Sequence, residues 1–335
     1  MKKILRALAK AVSFLLAAIV LLVAAVGVWH AVALRPFYAS AIAEFPMPGA
    51  DDRAFDQQAL DYDEESGLFF FSGYMRDGTA DPVYLVDAKS GNPVKRIALL
   101  NEDGTPCTTH AGGIAVTDRF IYLAGSSADC MYVFDKQEIL AAEDGETVRC
   151  IGTFSTKTGP EDGARVSWIA RDNEAVYVGE FTMPWIKGYA LRANHTLQTK
   201  AGETKALMLG FKIDPEAPLG LSETPFVAIA LPDYVQGACF DGESLYLSTS
   251  FAFKLSEVVK NSLVPEERTF AVMGNEVPLY SLRREAVFRL PPFGEEIVLY
   301  NGRIYASSEA VNMLFKGFGK LWGSEHCWSI VPPVA

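Results

Sequence analysis

The chain carries two hydrophobic patterns, one continuous and one alternating. Between Ala11 and Trp29 (AVSFLLAAIVLLVAAVGVW) the only polar side chain is that of Ser13. At about 1.5 Å per residue a helix over this run is roughly 28 Å long, close to the thickness of a bilayer's hydrocarbon core. It predicts one N-terminal transmembrane helix, with residues 11–34 in the membrane. Lys2, Lys3, Arg6 and Lys10 should hold the N-terminus in the cytoplasm, so that the chain beyond about Arg35 is extracytoplasmic. Small-x-small triplets at Ala31–Ala33, Ala39–Ala41 and Ala41–Ala43 also fit a cleaved signal peptide. The apolar run exceeds the usual signal-peptide core, which favours a retained signal anchor. Residues 36–56, with three prolines, read as a linker. The expected organisation is thus 1–34 anchor, 35–56 linker and 57–335 folded domain.

In that domain apolar and polar residues alternate in short runs. Four segments align without a gap: GGIAVTDRFIYLAGS from Gly112, SWIARDNEAVYVGEF from Ser167, QGACFDGESLYLSTS from Gln236 and EEIVLYNGRIYASSE from Glu295. Each is an alternating run, a polar turn and a second alternating run, the signature of a β-hairpin. A tyrosine recurs at one offset (Tyr122, Tyr177, Tyr246, Tyr305), and Phe70 takes its place in a looser copy, ALDYDEESGLFFFSG. These anchors are 52, 55, 69 and 59 residues apart, a repeat period. Two more strand-like runs follow each hairpin, the last pair at Val311–Phe315 and His326–Val331. Four strands per unit predict an all-β fold, a five-bladed β-propeller with six blades as the alternative. A two-sheet sandwich also has many short strands, but does not require an aromatic anchor at one offset in every hairpin. Residues 183–205 and 252–274 read as insertions at one rim, the second with a helix over FKLSEVVKNSLV.

Charge narrows the partners. The 30 Lys+Arg against 41 Asp+Glu give −11, and the basic N-terminus leaves −15 on the remainder. An acidic body makes no nucleic-acid partner. The five cysteines (107, 130, 150, 239, 327) and four histidines have no zinc spacing. Loop register suggests a Cys107–Cys130 disulfide.

A propeller places the starts of its innermost strands around an axial mouth. Those positions are Gln57 and Gln58; His110; Arg165, Ser167 and Trp168; Tyr234 and Gln236; and Glu295 and Glu296. Glu180 and Glu309, just past the second strands, join them. From this set, Gln58, His110, Arg165, Trp168, Gln236 and Glu296 are the candidate ligand-binding residues, His110 the candidate catalytic residue, and Glu180 and Glu309 the candidate metal ligands for Ca2+ or another divalent cation. Each has a structural alternative: glutamines cap strand-end amides, a tryptophan packs between sheets, a glutamate pairs with Arg165. No Gly-rich phosphate loop, serine elbow or His-x-x-x-His helix is present, so the sequence specifies no reaction.

The phrases HAGGIAV (110–116), VYVGEF (176–181), VQGACFDGESLYLSTS (235–250) and IYASSEA (304–310) resemble the YVTN, NHL and gluconolactonase-like propellers, and more narrowly a set of exported bacterial propellers of unassigned function. The resemblance spans residues 57–316 and implies the architecture. Gluconolactonase-like members hold an axial divalent cation, but no stretch here matches their ligand motifs, so the metal does not carry over. The leading expectation is a membrane-anchored extracytoplasmic propeller that binds a small molecule, glycan or envelope protein at its mouth. The alternative is a metal-dependent hydrolase of the lactonase kind, with Glu180, Glu309 or Glu296 and Gln236 as ligands and His110 as general base.

Overall fold

The computed structural model describes residues 2–126, 128–159, 161–186, 192–242, 244–311 and 316–334. The chain forms two units, Met1–Ser40 and Ala41–Ala335. The first is a helix, Lys2–Ala33, followed by a short one, Arg35–Ser40. The stretch Val12–Ser40 is long and apolar enough to cross a membrane or act as a signal, and a helix satisfies its own backbone there.

In the second unit the described residues form five four-stranded antiparallel sets. The first is Phe55–Asp63, Leu68–Met75, Pro82–Asp87 and Pro93–Leu100; the second is Ile114–Val116, Phe120–Gly125, Cys130–Asp135 and Gly152–Ser155. The third is Trp168–Arg171, Ala175–Gly179, Ala206–Lys212 and Val227–Leu231; the fourth is Val235–Asp241, Ser244–Thr249, Ser256–Val272 and Asn275–Leu290. The fifth takes Gly294–Tyr300, Arg303–Ser308 and His326–Ile330 from one end of the domain and Ile42–Pro46 from the other.

Their innermost strands touch in a closed cycle: 55–63 meets 114–116, which meets 168–171, then 235–241, then 294–300, which returns to 55–63. That is a β-propeller, and the cycle excludes a sandwich. It also explains why the second strands are buried on both faces, since alternate residues serve two different cores. Ile121 and Leu123 pack toward the first sheet, whereas Tyr122 and Ala124 pack toward the third. Phe70, Tyr122, Tyr177 and Tyr305 each join the core shared with the next sheet around the ring. Tyr177, for example, lies 4.6 Å between centroids from Phe240 of the fourth sheet, an aromatic contact across the seam. The inner strands approach so closely that a Cβ on Gly112 or Gly113 would sit 2.2 Å from Ser167 O or Ile169 N, so only glycine fits there.

Several expectations change. The segment read as a linker contains Ile42–Pro46, which pairs with His326–Ile330 (Ile42↔Ser329, Pro46↔His326) and completes the fifth sheet. Val311 lies in a short 3-10 turn, Glu309–Val311, and the rest of the strand expected there lies outside the described residues. The helix expected within 252–274 is instead strand Ser256–Val272, paired with Asn275–Leu290. Hydrogen bonds to Ser244–Thr249 on one side and to Asn275–Leu290 on the other satisfy the backbone along most of it, and this sheet context overrides the local helical period. The strand Asn275–Leu290 also pairs in parallel with Val227–Leu231, joining the outer edges of the third and fourth sheets. All five cysteines carry free, buried thiols, so no Cys107–Cys130 bond is present. Cys107 is instead held by its backbone to Leu99 and Asp81 inside the core between the first two sheets.

Candidate functional site

The starts of the inner strands and the ends of the second strands open onto one axial cavity of about 680 Å3, within the range of small-molecule sites. Of the candidates, Gln58, His110, Arg165, Gln236 and Glu309 line it, as do Ser167 and Glu295. Gln57, Trp168, Glu180, Tyr234 and Glu296 do not line it, and strand alternation accounts for Trp168, Glu180 and Glu296.

Counted from the aromatic anchor of each hairpin, thirteen lining residues fall at −12 (Gln58, His110, Arg165, Phe293), −10 (Gly112, Ser167, Gln236, Glu295) and +4 (Tyr74, Ser126, Phe181, Ser250, Glu309), whereas Tyr234 at −12 and Leu60 at −10 do not line the cavity. Trp168 and Glu296 stand at −9 and Glu180 at +3. Side chains alternate between the faces of a strand, so odd offsets turn away from the mouth.

Trp168 is fully buried, its ring lying where a side chain on Gly179 would be, in the core between the third and fourth sheets. Glu180 is fully buried and already saturated. It accepts from Arg165 N (3.0 Å), Leu207 N (3.0 Å) and His195 Nδ1 (2.8 Å), and Arg192 Nη1 lies 3.6 Å away. These contacts give it no free oxygen for a metal. Glu296 is buried on the axis beneath the cavity, against Gly237. Burial pushes its carboxyl well above the usual carboxylate range, and Asp61 adds to the push. The amides of Ile114, Ala238 and Leu60 oppose the shift without reaching hydrogen-bond geometry.

The floor of the cavity is acidic. Glu295, 2% exposed, has one amide contact, Gln236 Nε2 at 3.4 Å. Glu309 likewise receives Gln58 Nε2 at 3.4 Å. Burial pushes Glu309 up to about 7, and the charge of Asp56 reinforces this against Gln58 and Arg76. Burial also drives Glu295 well above the carboxylate range, with Glu309, Asp56 and Glu296 adding repulsion. Asp56, behind Tyr74, is an ion-paired carboxylate, with Arg76 Nε donating at 2.7 Å.

One wall is aromatic and another ionic. His110 stacks on Tyr74 with centroids 4.9 Å apart. Its ring reaches the water of the cavity yet is surrounded by protein, and desolvation lowers its pKa, with Asp56 opposing. Phe181, Phe251 and Phe293 add apolar surface. On the ionic side Asp129 is shared by Lys157 (3.2 Å), Arg192 (3.3 Å) and Arg165 (4.0 Å). Ala111, Asp129, Tyr234, Ala252 and Phe293 hold positive φ in the loops around this mouth. Backbone strain of this kind gathers at functional sites.

No family model and no curated protein sequence matches the chain. Solved structures with a similar course of chain include glutaminyl cyclase from Myxococcus xanthus (TM-score 0.41, 13% identity, covering 80% of this chain and 91% of that one). Another is the PQQ-bound aldose sugar dehydrogenase of Streptomyces coelicolor (TM-score 0.41, 16% identity, 80% and 78% covered). A third is BamB from Moraxella catarrhalis (TM-score 0.35, 9% identity, 82% and 84% covered).

The lining residues missed in the sequence are Tyr74, Ser126, Asp129, Phe181, Ser250, Phe251, Ala252, Phe293 and the backbone of Gly112. Tyr74, Ser126, Phe181 and Ser250 share the +4 offset of Glu309, which was the available signal. Asp129, Phe251 and Ala252 come from loops that the repeat does not register.

Proposed function

We propose that this protein is a membrane-tethered, extracytoplasmic β-propeller that binds a small polar molecule in its axial cavity. The observation that carries the reading is convergence. Gln58, His110, Arg165, Gln236, Glu295 and Glu309, from strands of the five four-stranded sets or the loops beside them, face one cavity with aromatic walls. A few fixed polar groups in an apolar concavity are what a ligand site requires. The basic residues Lys2, Lys3, Arg6 and Lys10 before the apolar helix support a cytoplasmic N-terminus and a propeller on the other side.

The lactonase-like alternative receives less support. His110 and Glu309 face the cavity, but Glu180 is consumed by Arg192, His195 and two backbone amides, and Glu296 lies beneath the floor. The ligand set it needs is spread over three places.

A thermal-shift screen of the full-length protein in detergent, against sugars, amines, carboxylates and divalent cations, tests the proposal. A ligand that raises the melting temperature of the wild type and loses its effect in Gln58→Ala and Gln236→Ala supports it. Ligands whose effect survives both substitutions would place binding elsewhere.

A further inference from the structure

Four of the buried carboxylates in this molecule lie beside a cation. Asp56 is paired with Arg76, Asp61 with Arg171 (2.8 Å), Asp63 with Lys136 (3.3 Å), and Glu180 with Arg192 and His195. Burying a carboxylate without a cation is costly, and each of these sites supplies one. Three others have none: Asp81 accepts from the backbone amides of Met75 and Thr109, Glu296 lies off the cavity, and Glu295 lines the cavity together with the half-buried Glu309. Glu295 and Glu309 face each other's charge with one glutamine amide apiece at 3.4 Å, and Asp56 adds a third negative charge nearby. Among the described residues that line the cavity, Arg165 is the one Lys or Arg, and it lies 4.0 Å from Asp129, while Arg76 is taken by Asp56. Glutamines alone would have satisfied a neutral ligand without this repulsion.

We infer that the ligand of the axial cavity is an organic cation, a primary amine or guanidinium on an apolar body, whose positive group sits between Glu295 and Glu309. The inference rests on reading the cavity as a ligand site. A bare metal ion fits the surroundings less well. The cavity of about 680 Å3 is far larger than an ion, and Tyr74, Phe181, Phe251 and Phe293 offer surfaces for an apolar body and for cation–π contact. Among the described residues no group of three or more His, Cys, Asp or Glu side chains is gathered in metal-binding fashion.

The charge balance has a second consequence. Seating a cation favours the ionised forms of Glu295 and Glu309, so binding releases protons and tightens as pH rises. The groups that bear on this titration are Asp56, Arg76, Tyr74 and Gln58 around Glu309, and Asp56, Glu296 and Gln236 around Glu295.

The experiment is isothermal titration of the full-length protein in detergent with 1,4-diaminobutane, agmatine and phenethylamine. Their neutral counterparts butane-1,4-diol and 2-phenylethanol, glucose and CaCl2 serve as comparison probes. At least one amine should bind while its neutral counterpart does not, with proton release and with tighter binding at about pH 8 than at about pH 6. The double variant Glu295→Gln, Glu309→Gln should weaken that binding roughly ten- to hundredfold, the worth of a charge-assisted contact or two. Should the double variant not fold, the pH dependence and proton count of the wild type decide the matter. Glucose or a diol binding with no amine preference would overturn the inference and leave the cavity reading intact. Calcium binding without the amines would do the same in favour of a metal. Silence from every probe at about 10 mM, beyond the millimolar range of weak ligands, would remove both the inference and the cavity reading.

Discussion

Glu309 makes the stability of the propeller depend on pH in an unusual direction, and Glu309→Gln isolates the effect. Its carboxyl is pushed up from the ordinary 4.5 to about 7 by burial and by Asp56. Below the unfolded value both states are protonated, and the group has no influence. Between the two values the native state holds a proton that the unfolded chain has released, so stability falls as pH rises. A displacement of about 2.5 pH units corresponds to roughly 3 kcal/mol, fully expressed above about pH 8. Glutamine keeps the shape and removes the titration. At pH 8 the variant should therefore be more stable than the wild type by about 2–3 kcal/mol, or about 3–5 °C in melting temperature for a domain of this size. Near pH 4.5 the two should nearly coincide. His110, lowered by desolvation, works in the opposite sense, because stability from it is lost as pH falls below its ordinary 6.5; it is present in both proteins and largely cancels in the comparison. The assay is fluorescence-monitored melting of both proteins from about pH 4.5 to about pH 8.5. A constant difference across the range, or a wild type that gains on the variant as pH rises, would refute the reasoning.

Other substitutions test the frame. Trp168→Ala empties a fully buried site between two sheets and should cost about 3–5 kcal/mol in denaturant unfolding while leaving binding in the native baseline intact; lost binding with unchanged stability would return Trp168 to the mouth. Lys136 is fully buried, with Asp63 at 3.3 Å and Glu65 at 2.8 Å, so Lys136→Met should cost about 3–5 kcal/mol, partly recovered by adding Asp63→Asn; strict additivity in the double-mutant cycle would contradict the pairing. The five cysteines are free and buried, and burial raises the thiols of Cys107, Cys130 and Cys150. A thiol reagent should modify the native protein slowly and all five sites after unfolding, without reductant; three sites instead of five would reveal a disulfide.

The repeat was legible because it is written in side-chain alternation, and the ring follows from it. One aromatic per hairpin faces the next sheet, as Tyr122 and Tyr177 do. Much of the candidate site was legible for the same reason, since Gln58, His110, Arg165 and Gln236 sit at even offsets from those anchors. Trp168, Glu180 and Glu296 were misread by a single position, and in a strand one position reverses the face. Glu180 carried no local mark of its partner His195, which lies within the insertion 183–205. The strand Ser256–Val272 was hidden because Leu255, Val258, Val259 and Leu263 also satisfy a helical period. What decides it is pairing on both sides with residues far along the chain, and no local window contains that information. The edge strand Ile42–Pro46 was obscured by Pro46 at its end, which an edge position tolerates, and by Pro36 and Pro48 on either side.

That edge strand governs how the molecule is assembled during synthesis. Its hydrogen-bonding partner, His326–Ile330, is made nearly three hundred residues later, so Ile42–Pro46 must wait unpaired while the intervening sheets form one after another. Once seated, it ties the earliest part of the domain to the latest, and neither flank can peel away without breaking the other's backbone ladder. The barrel of blades should consequently open as a whole or not at all, with slow closure as the cost of so distant a pairing.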